Sequence, residues 1–301
     1  MTDVISTDAP ALRHGLSAPD IKVRSYLQTV THRLRHDPVT LFFLAVILII
    51  ALAAICAPWI APFDPNKTGT LYRLKPIGFR GFILGTDELG RDMLSRLIYG
   101  ARTSLVMGLT PVVLATVIGG TLGVTAGFHG GRVNMCIMRI VDVFYAFPSV
   151  LLAVAISGTM GGGIQNGLIA LTLVFIPPLC RIAETTTTQV RSLDFVEAAR
   201  ASGASSASII IHHVLANAAA PLFIYASSLI SVAILLAAGL SFLGLGVEPP
   251  TADWGMMLSN LRQAIYVQPL VCALPGVAIF ITSLSFNLVS DGLRQAMDVR
   301  A

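Results

Sequence analysis

From Val143 to Cys180 the chain carries no Asp, Glu, Lys or Arg, and none occurs from Val214 to Val247. A soluble domain, with roughly a quarter of its residues charged, would interrupt runs of this length several times. A helix in hydrocarbon tolerates no such interruption, because an ionised side chain there costs roughly 3 kcal/mol or more. Composition agrees: 54% of residues are hydrophobic and 12% charged, with a mean hydropathy of +0.77. The expected class is therefore an all-α polytopic membrane protein whose first partner is the lipid bilayer. The formal charge of +4 does not imply a nucleic-acid partner. The only lysines are Lys22, Lys67 and Lys75, and the arginines are scattered rather than striped.

A hydrocarbon core ~30 Å thick needs roughly 20 helical residues. The sequence predicts six spans, at about 40–60, 104–128, 135–157, 167–182, 218–243 and 268–289. Pro58 and APFDPN end the first, FHGGR the second and the glycines of SGTMGGG the third, while Pro177-Pro178 lies near the end of the fourth. Residues 1–39 read as a cytoplasmic tail and 40–301 as one membrane domain. The tail's mostly polar start argues against a cleaved secretory signal.

Lysine and arginine near span ends set orientation. Arg13, Lys22, Arg24, Arg33 and Arg35 in the tail favour an inside N-terminus. Six spans then put Arg294 and Arg300 inside too, with Arg132, Arg191 and Arg200. The segment 61–103 disagrees, holding seven basic residues on the outside, but a loop this long is a weaker determinant. Within it, Met93, Leu94, Leu97 and Ile98 fall at helical spacing, with Arg91, Arg96 and Arg102 largely off that face. The pattern fits either a short amphipathic helix in the membrane interface or an ordinary solvated one. A second outer segment, SFLGLGVEPPTADWGMML (241–258), reads as either an interface-hugging re-entry anchored by Trp254 or a plain structured loop.

Between the apolar runs lies a polar, small-residue stretch, residues 191–217, containing EAARASGASSASIIIHHVL. Phe195, Val196, Ala199 and Gly203 share one helical face, with Glu197 and Arg200 on another. Gly203 is expected to end this helix, and Ser205 or Ser206 to cap the next. Ala198, Ala199 and Ala201 allow a partner surface to approach closely. Taken alone, the pattern also fits a cytoplasmic hairpin packed on its own bundle.

The order Glu197-Ala198-Ala199, three residues, Gly203, then an apolar helix through Leu215 resembles the EAA loop of ABC-importer permeases. LGTDELGRDMLSRLIYGARTSL (84–105), MRIVDVFYAFPSVLLA (138–153), the 241–258 segment and FNLVSDGLRQAMDVR (286–300) narrow the resemblance to the second permease subunit of the dipeptide/oligopeptide/nickel branch. The resemblance covers about residues 38–300. It implies a type I importer fold in which Glu197, Ala198, Ala199, Arg200, Gly203, His213 and Leu215 dock on a cytoplasmic ATPase. It also implies a homologous second permease subunit, two cytoplasmic ATPase subunits, an extracytoplasmic solute-binding protein, and a bacterial or archaeal cytoplasmic membrane. Asp87, Gly90, Arg91, Asp92 and Trp254 belong to its outer segments and are candidates for an outer interface. The chain is expected to bind no cofactor: it has no GxxxxGK[ST], and no lysine follows a glycine, so ATP and Mg would sit on partner chains. Two positions depart from the family. Leu215-Ala216 replaces the usual Leu-Pro, so the second coupling helix is expected to run on longer, and Glu184 stands where a basic residue is common. An Arg181–Glu184 pair is one local consequence.

Other sites are sparse. Asp142 is the one carboxylate in an expected span, read either as a local pair with Arg139 or as a pathway contact. Ser157, Ser227 and Ser231 fit a pathway lining or helix packing. His212 and His213 point to different helix faces, and no metal site is expected. Cys56, Cys136, Cys180 and Cys272 read as small buried hydrophobes. The rival function is a self-sufficient carrier driven by an ion gradient, which usually shows internal repeats and charged midplane groups. An intramembrane protease would need a Ser–His pair or two aspartates within the membrane.

Overall fold

The computed structural model describes residues 26–297, so the tail cations Arg13, Lys22 and Arg24 and the terminal Arg300 lie outside the described residues. The helices are α1 (Tyr26–His36), α2 (Pro38–Ile55), α3 (Ala57–Ile60), α4 (Met93–His129), α5 (Gly131–Tyr145), α6 (Ser149–Met160), α7 (Ile164–Arg191), α8 (Asp194–Ala201), α9 (Ser206–Ile209), α10 (Leu215–Phe242), α11 (Trp254–Leu261) and α12 (Pro269–Met297). Local chemistry starts several of them. Asp37 caps α2 by accepting from the Val39 N–H and the Thr40 hydroxyl, with Pro38 in the first turn. Asp92 caps α4 by accepting from both the backbone N–H and the hydroxyl of Ser95, each at 2.7 Å.

The centre of the fold is a seam between α4 and α7. Gly119, Gly123 and Gly127 recur every four residues, so they line one face of α4. A Cβ on Gly119 would lie 2.7 Å from the Ile176 carbonyl oxygen, one on Gly123 2.3 Å from that of Cys180, and one on Gly127 2.7 Å from that of Glu184. Only glycine permits backbones this close. Toward the other end, a Cβ on Gly167 would lie 2.8 Å from the Met107 methyl. The contact advances in the same sense on both helices, so α4 and α7 run parallel.

That direction fixes the topology. Parallel neighbours place the end of α4 and the start of α7 at opposite ends of the seam. α5 and α6 must therefore carry the chain back, and they do so as a pair bent by 88°. The expected straight span at 135–157 is thus corrected to two helices. Pro148 has no N–H and disfavours helical backbone at Phe147, which breaks the helix there. α10 runs antiparallel to α4, since Gly108 faces Ile234 and Gly120 faces Leu222. α12 runs antiparallel to α10 and ends beside the start of α2, where Gly292 meets the Thr40 hydroxyl. Among the described residues, α2, α4, α7, α10 and α12 are long and apolar enough to cross a membrane, and the bent α5–α6 pair together makes a sixth candidate. α1, α8–α9 and the end of α12 share one side.

Four expected spans are longer than read, because charge-free length was the criterion. α4 has 37 residues and α7 has 28, about 55 Å and 42 Å at 1.5 Å per residue, so both outrun a ~30 Å core. Their shared end projects on the side of α8. α10 and α12 likewise extend past the expected 218–243 and 268–289.

The opposite side is closed by a buried clasp. Asp87 accepts from the backbone N–H of Leu89 and of Arg91, and its second oxygen lies 2.6 Å from Arg91 Nε and 3.3 Å from Arg96 Nε. Arg96 also donates to the Pro65 carbonyl at 3.1 Å. Gly85 and Gly90 take positive φ, and a Cβ on Gly90 would fall 1.9 Å from the Gly69 oxygen. Burial raises the Glu88 carboxyl above its ordinary range, with Asp87 adding to the shift. The amphipathic reading of residues 92–103 is corrected here. This stretch is the first turns of α4, and Arg91 and Arg96 point into the protein, where Asp87 pairs with both and Glu88 with Arg91. Asp87, Gly90, Arg91 and Asp92 are buried and offer no outer interface in this conformation.

The Trp254 half of the 241–258 segment, residues 252–257, is also internal. Trp254 is 3% exposed and donates from Nε1 to the Leu97 carbonyl at 3.0 Å. Met256 and Met257 are buried beside it. Trp254 therefore joins α11 to α4 instead of anchoring at an interface. Asp253 caps α11 and accepts from the Ser104 hydroxyl at 2.7 Å, and burial raises its carboxyl above the ordinary range. Among the cysteines, Cys180 and Cys272 are buried, whereas Cys136 is exposed, contrary to expectation.

The seam makes a direct prediction. Gly123→Ala would force backbone apart and is expected to destabilise the protein by about 1–3 kcal/mol. Gly158 in α6 has open space at its Cβ position, so Gly158→Ala is expected to stabilise by about 0.5–1 kcal/mol. Thermal unfolding of the two variants in detergent compares them; equal transitions would show that the seam is not close-packed.

Candidate functional site

The stretch 191–217 folds as helix, turn, helix on the projecting end of α4 and α7. Its inner face is anchored. Val196 is fully buried among Val124, Phe128, Ala183, Val190, Ile209 and Val214. Arg191 donates from Nη1 to the Phe128 carbonyl at 3.0 Å, satisfying an end carbonyl of α4. The Arg200 guanidinium lies 5.7 Å from the centre of the Phe128 ring. Phe128 thus meets the last residue of α7, just before α8, and the last turn of α8.

The turn is built by backbone chemistry. Ala204 N–H donates to the Ala199 carbonyl and Gly203 N–H to that of Arg200, both at 3.1 Å. This is a Schellman closure, which needs a left-handed residue, and Gly203 has φ +81°. Ala199 and Ala204 supply the accompanying apolar contact. Ser205 then caps α9 by accepting from the Ser208 N–H at 3.3 Å. After Ile209 the helix widens into a π turn, Ile210–Val214, and continues into α10 without a bend. Pro221 lies inside α10, so the second element does run on where Ala216 replaces proline.

The outer face is solvent-exposed. Glu197, Ala198, Arg200 and Gly203 are exposed and Ala199 is half-buried. Apolar side chains share this exposure: Leu193 is 45% accessible, Phe195 41%, Ile211 59% and Leu215 45%. His213 is half-buried, its ring 6.0 Å from that of Phe195. Its neighbour His212 is exposed, with Nδ1 3.0 Å from the Ser208 carbonyl oxygen. The seven residues singled out from the sequence therefore lie together on one projecting platform, although none meets another through a reactive geometry.

Elsewhere the structure regroups the candidates. Asp142 pairs with Arg181 of α7 at 2.5 Å rather than with Arg139. Glu184 accepts from the Asn134 amide at 2.7 Å and from the Thr188 hydroxyl at 3.2 Å. The Arg181–Glu184 pair is therefore replaced by two contacts from α7 to α5, Arg181 to Asp142 and Glu184 to Asn134. Ser227 bonds Ser290 at 2.9 Å, and the Ser231 carbonyl accepts from Ser283 at 3.1 Å, so both serines join α10 to α12. Ser157 is fully buried, its hydroxyl without a hydrogen-bond partner among the described residues. Sequence reasoning missed the Arg191–Phe128 clamp, whose partners are 63 residues apart. It also passed over the Gly119-Gly123-Gly127 repeat, a readable small-residue signal.

Residues 119–301 match the family described as binding-protein-dependent transport system inner membrane component, and residues 25–76 match the N-terminal TM domain of oligopeptide transport permease C. The chain is 42% identical to the di/tripeptide transport system permease protein of Pseudomonas aeruginosa, covering 94% of this chain and 95% of that one. It is 40% identical to the glutathione transport system permease protein of Pectobacterium atrosepticum, covering 85% and 84%. Among solved structures it is similar to the MetNI methionine ABC transporter in inward-facing conformations, with TM-score 0.56 and 20% identity over 68% of this chain and 97% of that chain. At that identity the likeness is one of fold.

The turn predicts a substitution order. A Cβ on Gly203 meets nothing within 4 Å, so any loss comes from backbone strain, not collision. Gly203→Asn is expected to be tolerated best, Gly203→Ala to cost about 1 kcal/mol and Gly203→Val more. Ser205→Ala is expected to cost about 1 kcal/mol through the lost cap. Rates of limited proteolysis across 200–208 measure the order; faster cleavage in Gly203→Asn than in Gly203→Val would refute it.

Proposed function

The chain belongs to the family of binding-protein-dependent transport system inner membrane components, and on that premise we propose that it is the membrane-spanning permease subunit of an ATP-driven importer for di/oligopeptides or similar small solutes. Its relatives are named as permease proteins of peptide and glutathione transport systems, which supports that solute class. The observation that carries the reading is the platform. Leu193, Phe195, Ile211 and Leu215 are apolar yet exposed, on a segment fixed to the ends of α4 and α7. An apolar patch of this kind marks a protein partner.

In this reading the partner is one of two cytoplasmic ATPase subunits, which bind ATP and Mg. Glu197, Ala198, Ala199, Arg200, Gly203, His213 and Leu215 form the contact. When the ATPases close, the platform moves with them. Val196 and the Arg191–Phe128 bond pass that movement to α4 and α7, and the glycine seam makes those two helices move as one body. Bending falls where helix hydrogen bonding is already interrupted. Those places are residues 146–148 and Pro177-Pro178, whose missing N–H groups leave the Leu173 and Val174 carbonyls without helix partners. A homologous permease chain supplies the other half of the pathway, and an extracytoplasmic solute-binding protein delivers the solute. The setting is a bacterial or archaeal cytoplasmic membrane, with the platform inside.

Purification of the complex with native chain and with the Glu197→Arg, Gly203→Val double variant tests the proposal. The native chain is expected to bring ATPase subunits whose activity rises with solute and binding protein. The double variant is expected to lose them or to hydrolyse ATP without transport. A native chain that purifies alone, with a variant that still transports, would instead favour an ion-driven carrier.

A further inference from the structure

The Asp142–Arg181 pair lies outside both the platform and the outer clasp. Asp142 stands one turn before the bend between α5 and α6, and Arg181 stands one turn after Pro177 in α7. Their side chains meet at 2.5 Å, yet remain 51% and 47% exposed. Tyr145 holds the Arg181 guanidinium 4.9 Å from its ring centre. Tyr145 also lines a cavity of about 250 Å³, walled by Phe144, Phe147, Pro177, Pro178, Leu229 and Val232 among others. Asp142 and Arg181 do not wall the cavity; Tyr145 links it to the pair, which lies beside it as a charged lip.

The location constrains the role. The pair ties together the two places where the bundle is weakest along its axes, the 88° bend and the proline pair. Both members are half-exposed at the surface of the chain, so each can be reached by another ion. A carboxylate facing a guanidinium across such a lip matches a molecule that carries an ammonium and a carboxylate. The ammonium replaces Arg181 on Asp142, and the carboxylate takes the guanidinium in a two-pronged contact.

We propose that Asp142 and Arg181 form a binding site for the charged ends of a zwitterionic solute at the platform-side mouth of the pathway. The proposal rests on the importer reading. In the absence of solute the pair closes on itself and braces the bend against α7; when solute arrives it opens. Tyr145 keeps Arg181 in place while its partner changes.

The test is uptake by the assembled complex, for native chain, Asp142→Asn, Asp142→Glu and Arg181→Gln. The solutes are one dipeptide, its N-acetylated form and its C-amidated form. The binding protein's own preferences are common to all four complexes, so changes in the uptake ratios belong to this chain. Asp142→Asn is expected to narrow the preference for free over N-acetylated dipeptide by about tenfold, the order expected for loss of a charged hydrogen bond. It should leave the preference over the amidated form unchanged. Arg181→Gln is expected to do the reverse, and Asp142→Glu to restore the native ratio. Equal slowing of all three solutes in both neutral variants would mean a structural brace and overturn the proposal, as would unchanged ratios. Failure of the native complex to take up any of the three with ATP present would overturn the importer reading itself.

Discussion

Backbone-to-backbone contact between α4 and α7 is the constraint on which the rest of the structure depends. Three glycines at four-residue spacing remove every side chain from one face of α4, and the carbonyls of α7 fill the space. Apolar collapse alone gives little specificity between helices in lipid, since the solvent is as apolar as the side chains. Close approach does, because it works only in one register. Once that register is set, the parallel direction follows, the α5–α6 pair must return the chain, and α1 and the end of α12 fall on the platform side.

Much of this was legible in the sequence. Charge-free runs located the five long apolar helices and the bent α5–α6 pair, and the glycine after EAARAS located the turn at Gly203. The helix boundaries were not legible, because α4 and α7 continue through polar residues whose partners lie elsewhere in the fold. The fourth span was expected to end at 182, yet Glu184 and Thr187 beyond it pack on Gly127 within α7. The bend at Pro148 lay within a stretch whose hydrophobicity stays continuous across it. The ion partners were misread for a similar reason. Local spacing favours i,i+3 pairs such as Arg139–Asp142 and Arg181–Glu184, whereas the observed pair joins residues 39 apart.

The outer clasp explains an apparent conflict in charge. Residues 61–103 hold seven basic side chains on the side that the orientation rule assigns fewer. Two of them, Arg91 and Arg96, are buried against Asp87. Lys75 and Arg80 lie against the ring of Phe79, 5.2 Å and 5.6 Å from its centre. Much of this charge therefore serves to fold the loop onto the bundle.

The π turn at Ile210–Val214 has a consequence of its own. A π turn accommodates one residue more than the α-helical repeat, and one residue corresponds to about 100° of rotation at 3.6 per turn. α9 and α10 form one continuous rod, but its two halves are out of phase by roughly that angle. The stripe that α9 shows to Val196 is therefore not the stripe that α10 shows to its neighbours in the bundle. Because of this twist, a single unbroken rod can satisfy two packing surfaces that face different compass points, and a push on one end reaches the other as torsion as well as thrust.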